Sequence, residues 1–574
     1  MDPTDRLTID VGIGQGGALY ANGTITGTAF VGAGGLLGGS GTLGGISALS
    51  GGTVAPGNSI GTLNVTGNVA FAPGSAYQVE ANAGGQSDRI TAGGSAALSG
   101  GTVQVLAASG AYNPRTTYAI LTAAGGVSGQ FAGITSNMAF LSPGLRYLTN
   151  EVDLTLTRND VSFASVTTTR NGAAAANALQ AAGSGRLYDA AVAFTAAEAG
   201  NGFRALAGDI HASTVSAAYE MAFFVREAVL DRLRWGMPGT GLDYGTLPAA
   251  YTADLPGRPP VMAGVPVRTL DPQVFGVWGQ GFGSFGTADG RGNAFDLNRQ
   301  IAGFAAGADV HLPSGFKFGV VGGYTEAFLD SAGRASGGSP AESATIKSGF
   351  GGVYGGYELG PISVRLGAVY ADNDARTRRT VLYGLSDSPT GHGGGSTVQG
   401  FGEIGYRFFL GEPASAVLVS KDGLRPAAVQ PALTYIEPFV GGAYVGIHRD
   451  RFAEAGGVTA LTSFSRDYDL GAATAGVRGQ TSLDLGLGIP VSAHGLVGYR
   501  RAFGDVVPTA LLAFSAGGAA FLSAGVPINR DAFVAEAGLD LRVAPNATLG
   551  IAYTGQTGSR AQDQAVKGNF TYRF

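Results

Sequence analysis

The chain has 574 residues, too many for one ordinary domain. With 98 Gly, 45% hydrophobic and 13% charged residues it is neither disordered nor a helical protein, and the lack of Cys excludes a disulfide framework, a Cys-ligated zinc and a thiol nucleophile. A net charge of −5 removes the basic footprint of a nucleic-acid binder.

No window approaches about 18 uncharged apolar residues, so no transmembrane helix is encoded. The start, Met1-Asp2-Pro3-Thr4-Asp5-Arg6, has no apolar h-region and is not a signal peptide. If the protein works outside the cytoplasm, this start implies a fragment or a mis-started reading frame. Residues 1–160 alternate short β-branched runs with Gly pairs, as in Gly51-Gly52-Thr53-Val54 and Gly100-Gly101-Thr102-Val103. Short strands at close intervals between Gly or Asn turns predict a stacked solenoid such as a parallel β-helix, with a β-sandwich as the alternative.

Residues 171–235 change to Ala-rich helical spacing. In 211–234 the apolar positions 215, 218, 222, 225, 229 and 233 mark one helix face. Such a helix is about 36 Å long, enough to cross a hydrocarbon core of about 30 Å. Its charges, Glu220, Arg226, Glu227, Asp231, Arg232 and Arg234, forbid lipid contact, so it can cross only inside a protein-lined, water-accessible pore. Residues 236–272 are Pro-punctuated and read as a linker.

From 273 to 574 the period is two. Twelve alternating segments are predicted: 274–285, 301–312, 315–326, 344–358, 362–375, 395–410, 432–449, 465–486, 490–503, 531–543, 547–558 and 561–574. Alternation alone also suits a soluble sheet. Three features favour a membrane barrel: strands of about ten residues or more, tight turns alternating with long loops (327–343, 376–394 and 504–530), and aromatics at strand ends such as Tyr324, Tyr370, Tyr406, Phe408, Tyr572 and Phe574. The connection 411–431 breaks that asymmetry and reads as an insertion or a slipped register. The inner phase carries Asp309, Lys317, Arg365, Glu403, Arg407, Glu437, Arg478, Glu536, Asp540, Arg542, Lys567 and Arg573. A barrel this wide holds a channel or a plug, and the charged helix upstream is the expected plug. The fold class is therefore all-β with a helical linker: a parallel β-helix followed by a twelve-stranded antiparallel transmembrane barrel.

Several stretches resemble known wording. Asn68 through Glu80 with Ser87-Asp88-Arg89-Ile90, and Tyr118-Ala119-Ile120-Leu121 with Phe131-Ala132-Gly133, are similar to the autochaperone segment ending a pertactin-like passenger. His211-Ala212-Ser213 and Arg226 through Leu233 resemble the linker, Val277 through Gly286 the first barrel strand, and Tyr572-Arg573-Phe574 the terminal signal read by the barrel-assembly machinery. Together they resemble type Va autotransporters. That resemblance implies an outer-membrane barrel of a Gram-negative bacterium that exports and anchors its own N-terminal passenger. Its partners would be outer-membrane lipid, the barrel-assembly machinery and periplasmic chaperones, with the passenger facing host or neighbouring cells. It implies an autochaperone over about 63–158 and a pore helix carrying Arg226, Glu227, Asp231, Arg232 and Arg234. A surface-attached adhesin is the alternative.

No enzyme, cofactor or metal site is expected. His211, His311, His392, His448 and His494 show no metal-binding spacing, and residues 1–160 contain no His, hence no His-based triad. Gly279-Gln280-Gly281-Phe282-Gly283 lies in a strand pattern and is not a dinucleotide loop. Asn171-Gly172 and Asn177 are candidates for linker self-cleavage by residue type only, and ordinary Asn turns or caps otherwise.

Overall fold

The computed structural model describes residues 2–108, 112, 115–235, 275–312, 314–333, 341–381, 387–410, 434–486, 489–544 and 546–574. The linker read at 236–272 and the irregular connection at 411–431 lie outside them. The N-terminal part is a right-sized solenoid of parallel strands whose apolar residues stack in columns. One column runs Leu37, Val54, Tyr77, Val103, Ile134; another runs Leu63, Ile90, Leu121. Each fully buried aliphatic side chain in such a column contributes about 1.5–3 kcal/mol. The turns between rungs stack too. Gly34, Gly51 and Gly74 hold φ of 71°, 78° and 78°, and each of the first two amides donates to the next carbonyl at 2.9 Å. Only glycine adopts that conformation cheaply, which explains the recurring Gly pairs. The stack ends where Glu151–Arg158 pairs antiparallel with Arg115–Ala123 and with Leu141–Tyr147.

Four helices follow: α1 (Arg170–Ala182), α2 (Arg186–Val192), α3 (Ala196–Leu206) and α4 (Ile210–Arg234). Thr169 caps α1 by accepting from the Gly172 amide at 2.9 Å, and Thr195 with Glu198 closes a capping box on α3. Phe140 meets Phe163 and Phe203 edge to face, as Phe194 meets Phe203, and the cluster joins the solenoid's end to α1–α3.

Twelve long antiparallel strands then close on themselves: β1 (Phe275–Ala288), β2 (Leu297–His311), β3 (Phe316–Ser331), β4 (Glu342–Leu359), β5 (Ile362–Arg379), β6 (Thr390–Tyr406), β7 (Thr434–Arg449), β8 (Arg466–Leu483), β9 (Val491–Gly504), β10 (Asp531–Ala544), β11 (Ala547–Gly558) and β12 (Ala561–Arg573). β1 pairs with β12 and β6 with β7, so no edge is left open. Phe318, Val320, Val353, Leu366 and Ile551 face outward and are exposed, while Lys317, Arg365 and Val369 on the opposite phase are buried. This is the oily-out, polar-in arrangement of an outer-membrane barrel.

The structure corrects three expectations. Within loops 327–343 and 376–394, residues 327–331, 342–343, 376–379 and 390–394 are strand, because β3–β6 continue past the membrane band. Loop 504–530 contributes Thr509–Phe514 and Phe521–Ala524 to a small four-stranded sheet with Phe452–Ala453 and Leu461–Ser463. These strands were too short for the alternation to reveal. Finally, α4 is buried on every side except at half-buried Glu227, not on one face, because the barrel wall surrounds it.

Candidate functional site

The lumen is the site. α4 enters it from the mouth, where its first turn lies, and runs to the end formed by the β2–β3 turn and the chain terminus. Both ends are held by wall residues.

Mid-helix contacts are polar but light. Gln399 on β6 donates to the Ala222 carbonyl at 3.1 Å, and Gln556 on β11 donates to Glu220 at 2.8 Å. Arg226 reaches the Gln399 side-chain oxygen at 3.4 Å. Phe224 stacks on Phe282 of β1 with ring centroids 5.6 Å apart.

The inner end carries the charge. Arg232 grips Asp309 of β2 with two hydrogen bonds of 2.7 and 2.8 Å, a fork-on-carboxylate geometry. Tyr354 donates to the same carboxylate at 2.9 Å, and Trp278 donates to the Tyr354 hydroxyl at 2.6 Å. Arg234 grips Glu403 of β6 at 2.6 and 3.2 Å. Lys567 of β12 bridges Asp231 on the helix (2.8 Å) and Glu536 on β10 (2.7 Å). The last helical carbonyls have donors as well: Lys317 reaches Arg232 O at 3.1 Å and Arg365 reaches Leu233 O at 3.4 Å. Cations therefore meet the negative end of the helix dipole.

Behind Glu403 the wall is itself a network. Arg365 and Arg478 each contact both Glu403 and Glu437, at 3.0 and 2.9 Å and at 2.7 and 2.7 Å respectively. Arg407 closes it through Glu437 at 3.1 Å and Glu358 at 3.0 Å. Neither Arg407 nor Arg478 bonds α4; the links are Glu403, through Arg234, and Arg365, through the Leu233 carbonyl. Trp235, just past the helix, stacks at 4.4 Å on His494, which lies 3.1 Å from Asp540. Arg542 sits half-buried on β10 without an ion pair among the described residues. Glu227 pairs with Arg234 at 2.7 Å within the helix.

A second cluster holds the helix start. Arg379 of β5 grips Glu454 at 2.6 and 2.9 Å, and His211 lies 2.8 Å from the same carboxylate. Burial raises the Glu454 carboxyl, but Arg379 and His211 hold it well below the usual range. Glu342 accepts from the Ile210 amide at 3.0 Å. Burial pushes Asp209 up to about 6, although the Phe295 amide donates to it at 2.6 Å. The phase of the strands could have exposed Trp278, Arg299, Tyr354 and Arg379 as inner residues; His211 and Glu454, on helix and loop, gave no such signal. Asn171 is not free: its side chain donates to Ala524 O at 2.7 Å and accepts from Ala524 N at 2.9 Å, serving as a strand partner to Phe521–Ala524. Asn177 is exposed. Tyr572 and Phe574 lie at the outer face of the seam, where Phe574 and Phe275 exchange backbone hydrogen bonds of 3.0 and 3.2 Å. Among the described residues no group of His, Asp or Glu is arranged to hold a metal.

The family model for the autotransporter beta-domain matches residues 277–554. Two curated proteins of Serratia marcescens, both named extracellular serine protease, are 28% and 26% identical over 568 and 566 residues. The matches cover 90% of this chain, which spans 49% of each relative's length. Among solved structures, the translocator domain of autotransporter NalP from Neisseria meningitidis is matched with TM-score 0.44 and 13% identity, covering 64% of this chain and all of that one (100%). The transport unit of autotransporter AIDA-I from Escherichia coli is matched with TM-score 0.39 and 14% identity, covering 54% and 92%. The beta domain of the Bordetella autotransporter BrkA is matched with TM-score 0.37 and 13% identity, covering 52% and 100%.

Proposed function

The protein is an outer-membrane autotransporter with its beta-domain at residues 277–554, and from that premise we propose that the barrel exports residues 1–160 to the cell surface and keeps them anchored there through α4. The observation that carries this reading is the helix itself. It is charged, enclosed by the wall, and placed between a solenoid at one mouth and β1 at the other. Charges on a helix inside the lumen are stable only when they are paired, and the wall supplies ionic partners for Glu220, Asp231, Arg232 and Arg234.

The reading divides the chain into an exported solenoid over 1–160, a pore helix ending near 235, a linker over 236–272 and the barrel from 273. Within the solenoid, 63–158 acts as an autochaperone. Its antiparallel end covers the last parallel rung, so stacking of rungs outside the cell buries apolar surface and biases movement outward. Residues Tyr572 and Phe574 present a terminal aromatic pair to the barrel-assembly machinery, and periplasmic chaperones hold the unfolded chain before insertion. An epitope inserted at the exposed turn around Asn82–Gln86 tests export: intact cells should bind antibody, and proteolysis of whole cells should remove the epitope while leaving the barrel. An epitope that becomes accessible only after lysis would refute the reading.

The names of the two Serratia marcescens relatives favour a second reading, in which the exported part belongs to a secreted serine protease. Residues 1–160, without His, supply no His-based triad to it. The purified chain should therefore leave casein uncut; hydrolysis blocked by a serine-directed inhibitor would place an active centre within these 574 residues.

A further inference from the structure

The connection from β9 to β10 turns back over the mouth and is buried where a loop is ordinarily wet: every residue from Gly525 to Asn529 is buried. Its extended stretch is bonded along both edges. One edge faces its own hairpin. Phe521–Ala524 pairs with Thr509–Phe514, and the Gly525 and Ile528 amides donate to the Pro508 and Val506 carbonyls at 2.9 and 2.8 Å. The other edge is met by helix side chains instead of a strand. Asn171 of α1 donates to the Ala524 carbonyl at 2.7 Å and accepts from the Ala524 amide at 2.9 Å. Two residues on, Ser213 of α4 accepts from the Val526 amide at 3.0 Å, and Ser216 donates to the Val526 carbonyl at 2.6 Å. Residues two apart present their N–H and C=O groups to the same edge of a strand, so α1 and α4 together take the place of a partner strand.

The seat is close as well as polar. A β-carbon at Gly525 would lie 2.5 Å from the Ser213 amide nitrogen, so backbone packs on backbone here. Val526 shares a core with Ile210, Ala217 and Met221, and Ile528 shares one with Val215, Ala218 and Tyr219. Gly208 joins α3 to α4 with φ 61°, and a β-carbon there would come within 2.5 Å of Leu461 and 3.5 Å of Leu512 in the small sheet. A segment with ordinary side chains cannot pass under so tight a seat, which α4 meets with Ala212 and Ser213. While residues 1–160 occupy the lumen, α1 and α4 are not yet in place. Ala524 and Val526 then lack these partners, and Val526 and Ile528 lose their apolar cover. Only the arrival of residues 171–219 supplies both.

We propose that residues 521–529 form a strap that stands open while the passenger passes and closes on α1 and α4 when export ends, latching the root of the passenger in the mouth. The inference rests on the export reading. The chain has no Cys, so Val526→Cys, at a position 1% exposed, gives a single site for a membrane-impermeant maleimide. It is labelled on intact cells producing the full chain with the epitope at Asn82–Gln86. In a pulse-chase, residue 526 should react until the epitope reaches the surface, and at least about tenfold more slowly afterwards. Burial of residue 526 before the epitope surfaces overturns the proposal. In the exported protein, Ser213→Ala with Ser216→Ala removes two buried hydrogen bonds and should speed labelling at least about tenfold. Gly525→Ala, which blocks the seat, should do the same. Labelling unchanged by these substitutions also overturns the proposal. Leu522→Cys, 52% exposed in the same strap, should label fast in every background. Heat-modifiable migration checks that each variant is folded; where one is not, Asn171→Ala is read in the same direction. The epitope separates the two failures: one that never surfaces refutes export and the timing with it, whereas normal export with residue 526 equally reactive throughout refutes the latch alone.

Discussion

Asp309→Ala removes the most constrained contact between the plug and the wall. Arg232 and Asp309 are each only 3% exposed and share two short hydrogen bonds. Deleting one member of such a buried pair strands the other charge and costs about 3–5 kcal/mol. The lower end applies, because Arg232 keeps a 3.2 Å hydrogen bond to Thr571. If α4 leaves the lumen in a two-state manner, about 3 kcal/mol raises the open-to-closed ratio by roughly 150-fold. In planar bilayers the variant should show frequent large openings where the wild type is nearly silent. Exchanging the charges (Arg232→Asp with Asp309→Arg) should restore closure in part. Unchanged conductance in Asp309→Ala, with α4 still protected from added protease, would refute the reasoning that this pair holds the plug.

Three further outcomes are expected. Arg478→Ala should raise conductance less than Asp309→Ala, and Arg407→Ala least, since both act on α4 only indirectly, through Glu403 or through Glu437 and Arg365; the order of the three conductances checks it. Asn171→Ala should loosen α1 from the mouth by about 1–3 kcal/mol, because the Ala524 amide and carbonyl lose their partner; faster proteolysis in 505–530 would show it, and unaltered cleavage would not fit. In the solenoid, burial pushes Asp88 up to about 7 although the Gly61 and Glu80 amides donate to it at 2.9 and 2.8 Å. The folded state therefore holds a proton that the unfolded chain releases near 4, so local stability falls as pH rises from about 4 to about 7. Exchange protection of residues 61 and 80, corrected for intrinsic rate, should follow that slope, and Asp88→Asn should flatten it.

The barrel was legible because its physics is periodic. Lipid on one side and polar lumen on the other force every second residue to change character, so β5 and β10 declare both faces in their sequences. Lys317, Arg365, Glu403, Glu437, Arg478, Glu536 and Lys567 all project inward, as their phase requires. What phase does not encode is pairing across the lumen. Nothing local tells Arg234 that it meets Glu403 rather than Glu437, a choice set by the axial height of the helix. The mouth was less legible still. Leu461, Leu512, Phe514 and Phe521 read as scattered loop hydrophobes, yet they share a core with α1 and α3. Strands of two to six residues carry too few alternations to register.

The placement of the charges sets an order of events. The partners of α4's last turns sit on β2, β6 and β12, strands that neighbour one another in no open sheet of this order. Asp309 and Lys567 come together with β1 between them only once the seam forms, and Glu403 faces them from across the lumen. Before closure, Arg232, Arg234 and Asp231 have no set of partners, and a helix bearing them gains nothing from entering an apolar environment. After closure the same charges are paired and the lumen is filled. The plug is therefore stable only in a finished barrel, so a leaky intermediate with a fixed helix is disfavoured by the same residues that later seal the pore.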